Sequence, residues 1–181
     1  MSLIAPIQQT QRTLVIGGAR SGKSGHAQNA AIASGLPVTL IVTAEIRDAE
    51  MQARVDRHRA ERPASWTVIE AADSLPGALR EHVRPGRAVL VDCVTLWLSR
   101  LLCDAPDELE AGCDALVAAV RDAQGSLWLV SNEVGWSLVP EHPLGRRFRD
   151  EQGRLNQRLA SVCDSVVLVA AGLPLMLKQP A

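Results

Sequence analysis

The sequence predicts a doubly wound α/β domain built on a mostly parallel sheet, and three observations carry that prediction. Continuous apolar runs recur along the chain, stretches of helical periodicity alternate with them, and the first run opens straight into a glycine-rich loop followed by a helix. The run TLVIGG (Thr13 to Gly18) is β-branched and ends in glycines, so it reads as a strand, with a helix from Lys23 to about Ser34. PVTLIVTA (Pro37 to Ala44) and RAVLVDC (Arg87 to Cys93) are apolar throughout, the pattern of strands buried on both faces. SLWLVSNEVG (Ser126 to Gly135) and SVVLVAAG (Ser165 to Gly172) repeat it. Helices are expected between them over Ile46 to Ala60, Ser74 to His82, Leu96 to Leu102, Asp107 to Asp122 and Leu144 to Cys163. No internal repeat, low-complexity tract or linker interrupts the series. Residues 13–181 are therefore expected to form a single domain, with residues 1–12 as a disordered or loosely attached leader.

Composition narrows the function classes. The chain has 181 residues, 47% of them hydrophobic, enough for one sizeable core. A formal charge of -1 and a pI near 6.4 give no basic excess for sequence-independent nucleic-acid binding. The four cysteines contain no CxxC pair, and Cys93 sits in an apolar run where cysteine behaves as a small buried hydrophobe, so a reduced, cytoplasmic chain is expected. No stretch reaches the roughly 18 consecutive apolar residues of a membrane span.

Gly17, Gly22, Lys23 and Ser24 satisfy the G-x-x-x-x-G-K-[ST] spacing between a predicted strand and a predicted helix. Glycines let successive backbone N–H groups curl around phosphate oxygens, and the helix N-terminus adds its positive end. In that frame Lys23 reaches the β- and γ-phosphates and Ser24 holds Mg²⁺. A glycine-rich turn that only caps a helix is the plain alternative, and the combined spacing and context argue against it. Asp92, at the end of the apolar run AVLVD, stands where a second metal-side carboxylate is expected. Alone, it would read as turn punctuation.

In RDAEMQARVDRHRAERP, Met51, Val55 and His58 fall at i, i+4 and i+7, which puts the imidazole on the apolar face of the helix. A histidine there is ordinarily a core or interface residue. Arg54, Arg57, Arg59 and Arg62 crowd this one, however, and cationic neighbours favour the neutral, nucleophilic imidazole while offering charge to a triphosphate. Ser131, Asn132 and Glu133 follow an apolar strand taken to end at Val130, so they are expected on the rim of the phosphate loop. Arg146, Arg147 and Arg149 beyond them fit either a ligand contact or a solvated helix face.

GGARSGKS, RVDRHRAERP, VLVDCVTLWLSRLL, VSNEVGWSLVPEHPLGRRFRDEQGRLNQRLA and VVLVAAGLPLMLK, in that order from about Thr13 to Lys178, together resemble the bifunctional adenosylcobinamide kinase / adenosylcobinamide-phosphate guanylyltransferase family. The resemblance implies a RecA-like P-loop fold and two reactions. The first phosphorylates the aminopropanol hydroxyl of adenosylcobinamide from ATP or GTP. The second places GMP from GTP on a histidine, His58 here, releases pyrophosphate, and passes the GMP to adenosylcobinamide phosphate. It further implies nucleotide contacts from Gly17, Gly18, Ala19, Arg20, Ser21, Gly22, Lys23 and Ser24, from Val42, Thr43 and Ala44, from Arg59, Ala60, Glu61 and Arg62, and from Glu70 and Asp92. Lys23 and His58 are then the catalytic pair, Ser24 and Asp92 the metal side, and the assembly a homo-oligomer, a trimer by the family's habit. Gly25, Arg100 and Ser137 depart from the family pattern without touching the loop or the histidine. Two other readings compete: a monofunctional P-loop kinase of a small alcohol, and a nucleotide-dependent switch.

Overall fold

The computed structural model describes residues 11–44, 63–71 and 74–180. Its strands are β1 (Arg12–Gly17), β2 (Val38–Val42), β3 (Thr67–Glu70), β4 (Ala88–Asp92), β5 (Ser126–Asn132), β6 (Ser165–Ala170) and β7 (Leu173–Lys178). The helices are α1 (Lys23–Ala33), α2 (Leu75–His82), α3 (Val94–Asp104), α4 (Leu109–Arg121), preceded by a 3₁₀ turn at Pro106–Glu108, and α5 (Pro143–Val162). The expected helix over Ile46 to Ala60 and the first ten residues lie outside the described residues. β1 begins at Arg12, so the last residue of the expected leader belongs to the sheet.

Among the described residues the strands form one sheet in the order β3-β2-β4-β5-β1-β6-β7. All neighbours are parallel except β6 and β7. Two strands escaped the pattern reading. β3 is a short edge strand with three of its four residues exposed, so it lacks the apolar run that marks its neighbours. β7 returns antiparallel along β6 through a two-residue turn at Ala171 and Gly172, both at positive φ (51° and 79°).

Alternation along the central strands feeds two cores. Leu14, Ile41, Val89, Val91, Leu127 and Leu129 pack with α2, α3, α4 and α5 on one face. Val15, Leu40, Leu90, Trp128, Val130 and Val167 pack with Ala27 and Ala31 of α1 on the other. Because the sheet is covered on both sides, its strands carry apolar residues at nearly every position.

Arg12 and Asp164 lock the start of β1 to the start of β6. The guanidinium donates to both carboxylate oxygens at 2.6 and 3.0 Å, and the two residues exchange backbone contacts at 2.8 Å. Hydrogen bonding from Arg12 holds the Asp164 carboxyl below its ordinary range. A depressed folded-state value means that this stabilisation is present above about pH 4, the unfolded value, and is lost as pH falls through the folded one. Asp164→Asn is expected to lower stability by about 1 kcal/mol at pH 7, the pair being partly solvated. Urea unfolding across pH should show the gap between variant and wild type closing below about pH 4.

Candidate functional site

β1, the loop after it and α1 form a continuous phosphate cradle. Gly17 ends the strand, Gly22 caps α1 at φ 94°, and Arg20 is also left-handed at φ 57°. The loop is shaped by its own contacts: Ser21 N–H donates to Gly18 O at 3.3 Å, and Lys23 Nζ donates to Gly18 O at 3.0 Å. Lys23 is 8% exposed, so its ammonium is held over the loop rather than out in solvent. α1 presents its first N–H groups to the same hollow, with the positive end of its dipole.

Two neighbours clamp this loop. Gly172, in the β6 to β7 turn, donates its N–H to Ser21 O at 2.8 Å, and its Cα lies 3.2 Å from where a Cβ on Gly22 would stand. From the other side, Glu133 N–H donates to Gly17 O at 3.0 Å. A Cβ on Gly17 would come within 2.5 Å of Ser21 Oγ and overlap the Val169 carbonyl oxygen, so the position admits glycine only.

Asp92 ends β4, one strand removed from β1 because β5 lies between them. Ser24 Oγ reaches across to Asp92 Oδ1 at 3.5 Å. The two oxygens are placed as a hard cation shared with phosphate would need them. Among the described residues no group of three His, Cys, Asp or Glu side chains could hold a metal alone. Register sets Glu70, Val42 and Asp92 side by side at the same sheet edge. Thr43, 1% exposed, donates its hydroxyl to Cys93 O at 2.6 Å and accepts from Cys93 N–H at 3.1 Å, which fixes the turn after Asp92. Burial, and then Asp92, push the Cys93 thiol up to about 11, so it stays protonated and is no rival nucleophile at neutral pH.

β5 runs two residues further than expected, and Ser131 is not on the rim. It is fully buried and donates to Asn156 Oδ1 at 2.7 Å, while Gln152 Nε2 donates to Ser131 Oγ at 3.0 Å. Asn156 also donates to Asn132 O at 3.1 Å, and Asn132 N–H donates to Thr95 Oγ1 at 2.8 Å. This network ties α3 and α5 to the strand end beside the phosphate loop. Arg146 caps the carbonyls of Pro140 and Glu141 at 3.0 and 2.6 Å, Arg149 pairs with Asp150, and Arg100 pairs with Asp104. Gln152, Asn156 and Thr95 were not singled out from the sequence, since their partners lie 21 to 37 residues away. Gly172 had a local signal in the turn dipeptide before LPLML. His58, Arg59, Ala60, Glu61 and Arg62 lie outside the described residues.

A mostly parallel sheet with a glycine-rich loop, a buried lysine and a serine facing a strand-end aspartate defines a P-loop nucleotide enzyme. A family model described as cobinamide kinase / cobinamide phosphate guanyltransferase matches residues 13–177. The chain is 46% identical to the bifunctional adenosylcobalamin biosynthesis protein CobP of Pseudomonas aeruginosa, over 92% of this chain and 97% of that one. It is 40% identical to the bifunctional adenosylcobalamin biosynthesis protein CobU of Escherichia coli, over 91% and 98%. Among solved structures, a Pyrococcus horikoshii OT3 protein superposes with a TM-score of 0.56 at 12% identity, covering 93% of this chain and 86% of that one, a likeness of fold. The chain belongs to the cobinamide kinase / cobinamide phosphate guanyltransferase family, and is a bifunctional transferase of that kind.

Gly17→Ala is expected to lower stability by about 1–3 kcal/mol and to weaken GTP binding at least about tenfold, because the loop has to move to admit the methyl group. Gly25→Ala, where a Cβ meets nothing within 4 Å, should instead stabilise by up to about 1 kcal/mol through helix propensity. Thermal unfolding with and without GTP separates the two.

Proposed function

We propose that one phosphate loop serves two bond cleavages. In the first, the aminopropanol hydroxyl of adenosylcobinamide attacks the γ-phosphorus of ATP or GTP. The γ-phosphorus to bridging-oxygen bond breaks, the nucleoside diphosphate leaves, and the hydroxyl proton is released. In the second, the neutral imidazole of His58 attacks the α-phosphorus of GTP, and the α–β phosphoanhydride bond breaks with loss of pyrophosphate. A phosphate oxygen of adenosylcobinamide phosphate then displaces the histidine, giving adenosylcobinamide-GDP.

The loop grips the β,γ end both times, since that end is first the donated group and then the leaving group. Lys23 balances charge on those phosphates, and the first N–H groups of α1 bind their oxygens. Ser24 and Asp92 are the residues that would hold Mg²⁺, which when bound neutralises phosphate charge. Val42, Thr43, Ala44 and Glu70 border the nucleotide from the neighbouring strand ends, and Arg59 to Arg62 supply contacts beside His58. The single observation that carries this reading is the Ser24 to Asp92 approach across the phosphate loop, on a chain of this family.

The reading extends to assembly and location. Self-association is supported by the outer strand β7, where Leu173, Leu175 and Leu177 are more than half exposed on an edge strand, and a trimer is what the resemblance implies. A cytoplasmic site is supported by four cysteines without a disulfide.

Incubation with Mg²⁺ and α- or γ-labelled GTP, without corrinoid, tests the histidine step. The α-label is expected to remain bound as an acid-labile, base-stable adduct that is lost in His58→Ala, while that variant retains kinase activity. No adduct under conditions where GTP binds would move the reading to a monofunctional kinase.

A further inference from the structure

We infer that the loop joining β5 to α5, residues 133–142, is the docking surface for the corrin macrocycle of the acceptor. The inference rests on the reading above that cobinamide is the acceptor. An acceptor hydroxyl in line with the γ-phosphate must enter from the mouth of the phosphate loop, so the bulk of the acceptor lies along the sheet edge where the strands end. The loop starts there: Glu133, its first residue, bonds Gly17 O directly.

Between the polar residues at its two ends, the loop turns large apolar side chains to solvent. Trp136 is 73% exposed, Leu138 92% and Val139 64%, and Leu144 at the start of α5 is 44% exposed. The backbone that carries them is held in place by polar contacts. Gly135 N–H donates to Glu133 Oε1 at 2.9 Å, and Ser137 Oγ donates to Val134 O at 3.1 Å. Arg146 holds the carbonyls of Pro140 and Glu141, and Leu144 N–H donates to His142 Nδ1 at 3.3 Å. Apolar groups presented on a loop fixed by its own hydrogen bonds are preorganised for a ligand with a broad apolar face. A corrin ring has that face, with amide arms at its rim, and Trp136 offers a flat indole to stack on it. Ser137, a departure from the family pattern, fixes the loop through its hydroxyl, so it shapes this surface without touching the chemistry.

Trp136→Ser and Leu138→Ser, singly and together, test the assignment by steady-state kinase kinetics and by calorimetric titration with cobinamide. Both positions are exposed, so folding should survive, and GTP affinity reports the integrity of the phosphate loop. The KM for cobinamide is expected to rise at least about tenfold in the double variant, with kcat changed much less. An unchanged KM and an unchanged cobinamide affinity would overturn the inference. If that outcome came with a lower mass in light scattering, the loop would be a contact between copies instead. Failure of the wild-type protein itself to bind or phosphorylate cobinamide would refute the underlying reading, and is seen before any variant is compared.

Discussion

Two backbone hydrogen bonds fasten the phosphate loop to its neighbours: Gly172 N–H to Ser21 O from one side, and Glu133 N–H to Gly17 O from the other. A loop with two left-handed residues has little intrinsic reason to stay in one conformation, and unfixed it would lose much of its binding energy to ordering. Fastened to the β6 to β7 turn and to the end of β5, it is part of the sheet edge. Glycine at 17 permits the close approach to Val169 that makes this possible, and glycine at 22 permits the contact with Gly172.

The same fastening explains why residues remote from phosphate matter to the site. β5 lies between the loop strand and the strand that ends at Asp92, so its position sets the span that Ser24 bridges. The buried trio Ser131, Gln152 and Asn156, with Thr95, holds the end of β5 to α3 and α5. On the far side of Asp92, Thr43 clasps the Cys93 peptide. A network of this kind contributes mainly by restricting alternatives, because each buried polar group would be costly to leave unmade. It therefore favours one arrangement of loop, serine and aspartate, which is what the proposed use of one loop for two attacks would require.

The parallel strands were legible because burial on both faces writes a continuous apolar run, and α1 because the loop spacing points to it. Strands β3 and β7 were not, for opposite reasons. β3 is exposed and half polar, and β7 is apolar but faces outward, with Pro174 tolerated only because the strand is at an edge. Ser131 looked like a rim residue because a polar residue after an apolar run usually is one. Its burial depends on amides of α5 more than twenty residues away, which no local pattern announces. Gly17, Gly22, Lys23, Ser24 and Asp92 were singled out by spacing and strand position, and His58 by its place among arginines, whereas its role as the GMP acceptor and the contacts of Arg59 to Arg62 were implied by resemblance.

The central claim is that a single phosphate loop works in both reactions, and Lys23→Ala tests it most directly. Kinase turnover and the rate of GMP transfer from GTP would be measured on the same folded preparation. Losses in both, each on the order of 100-fold or more as expected when a positioned cation on the reacting phosphates is removed, would support it. Near wild-type GMP transfer beside a lost kinase, or the reverse, would mean that the two bonds are broken with the triphosphate held in different places.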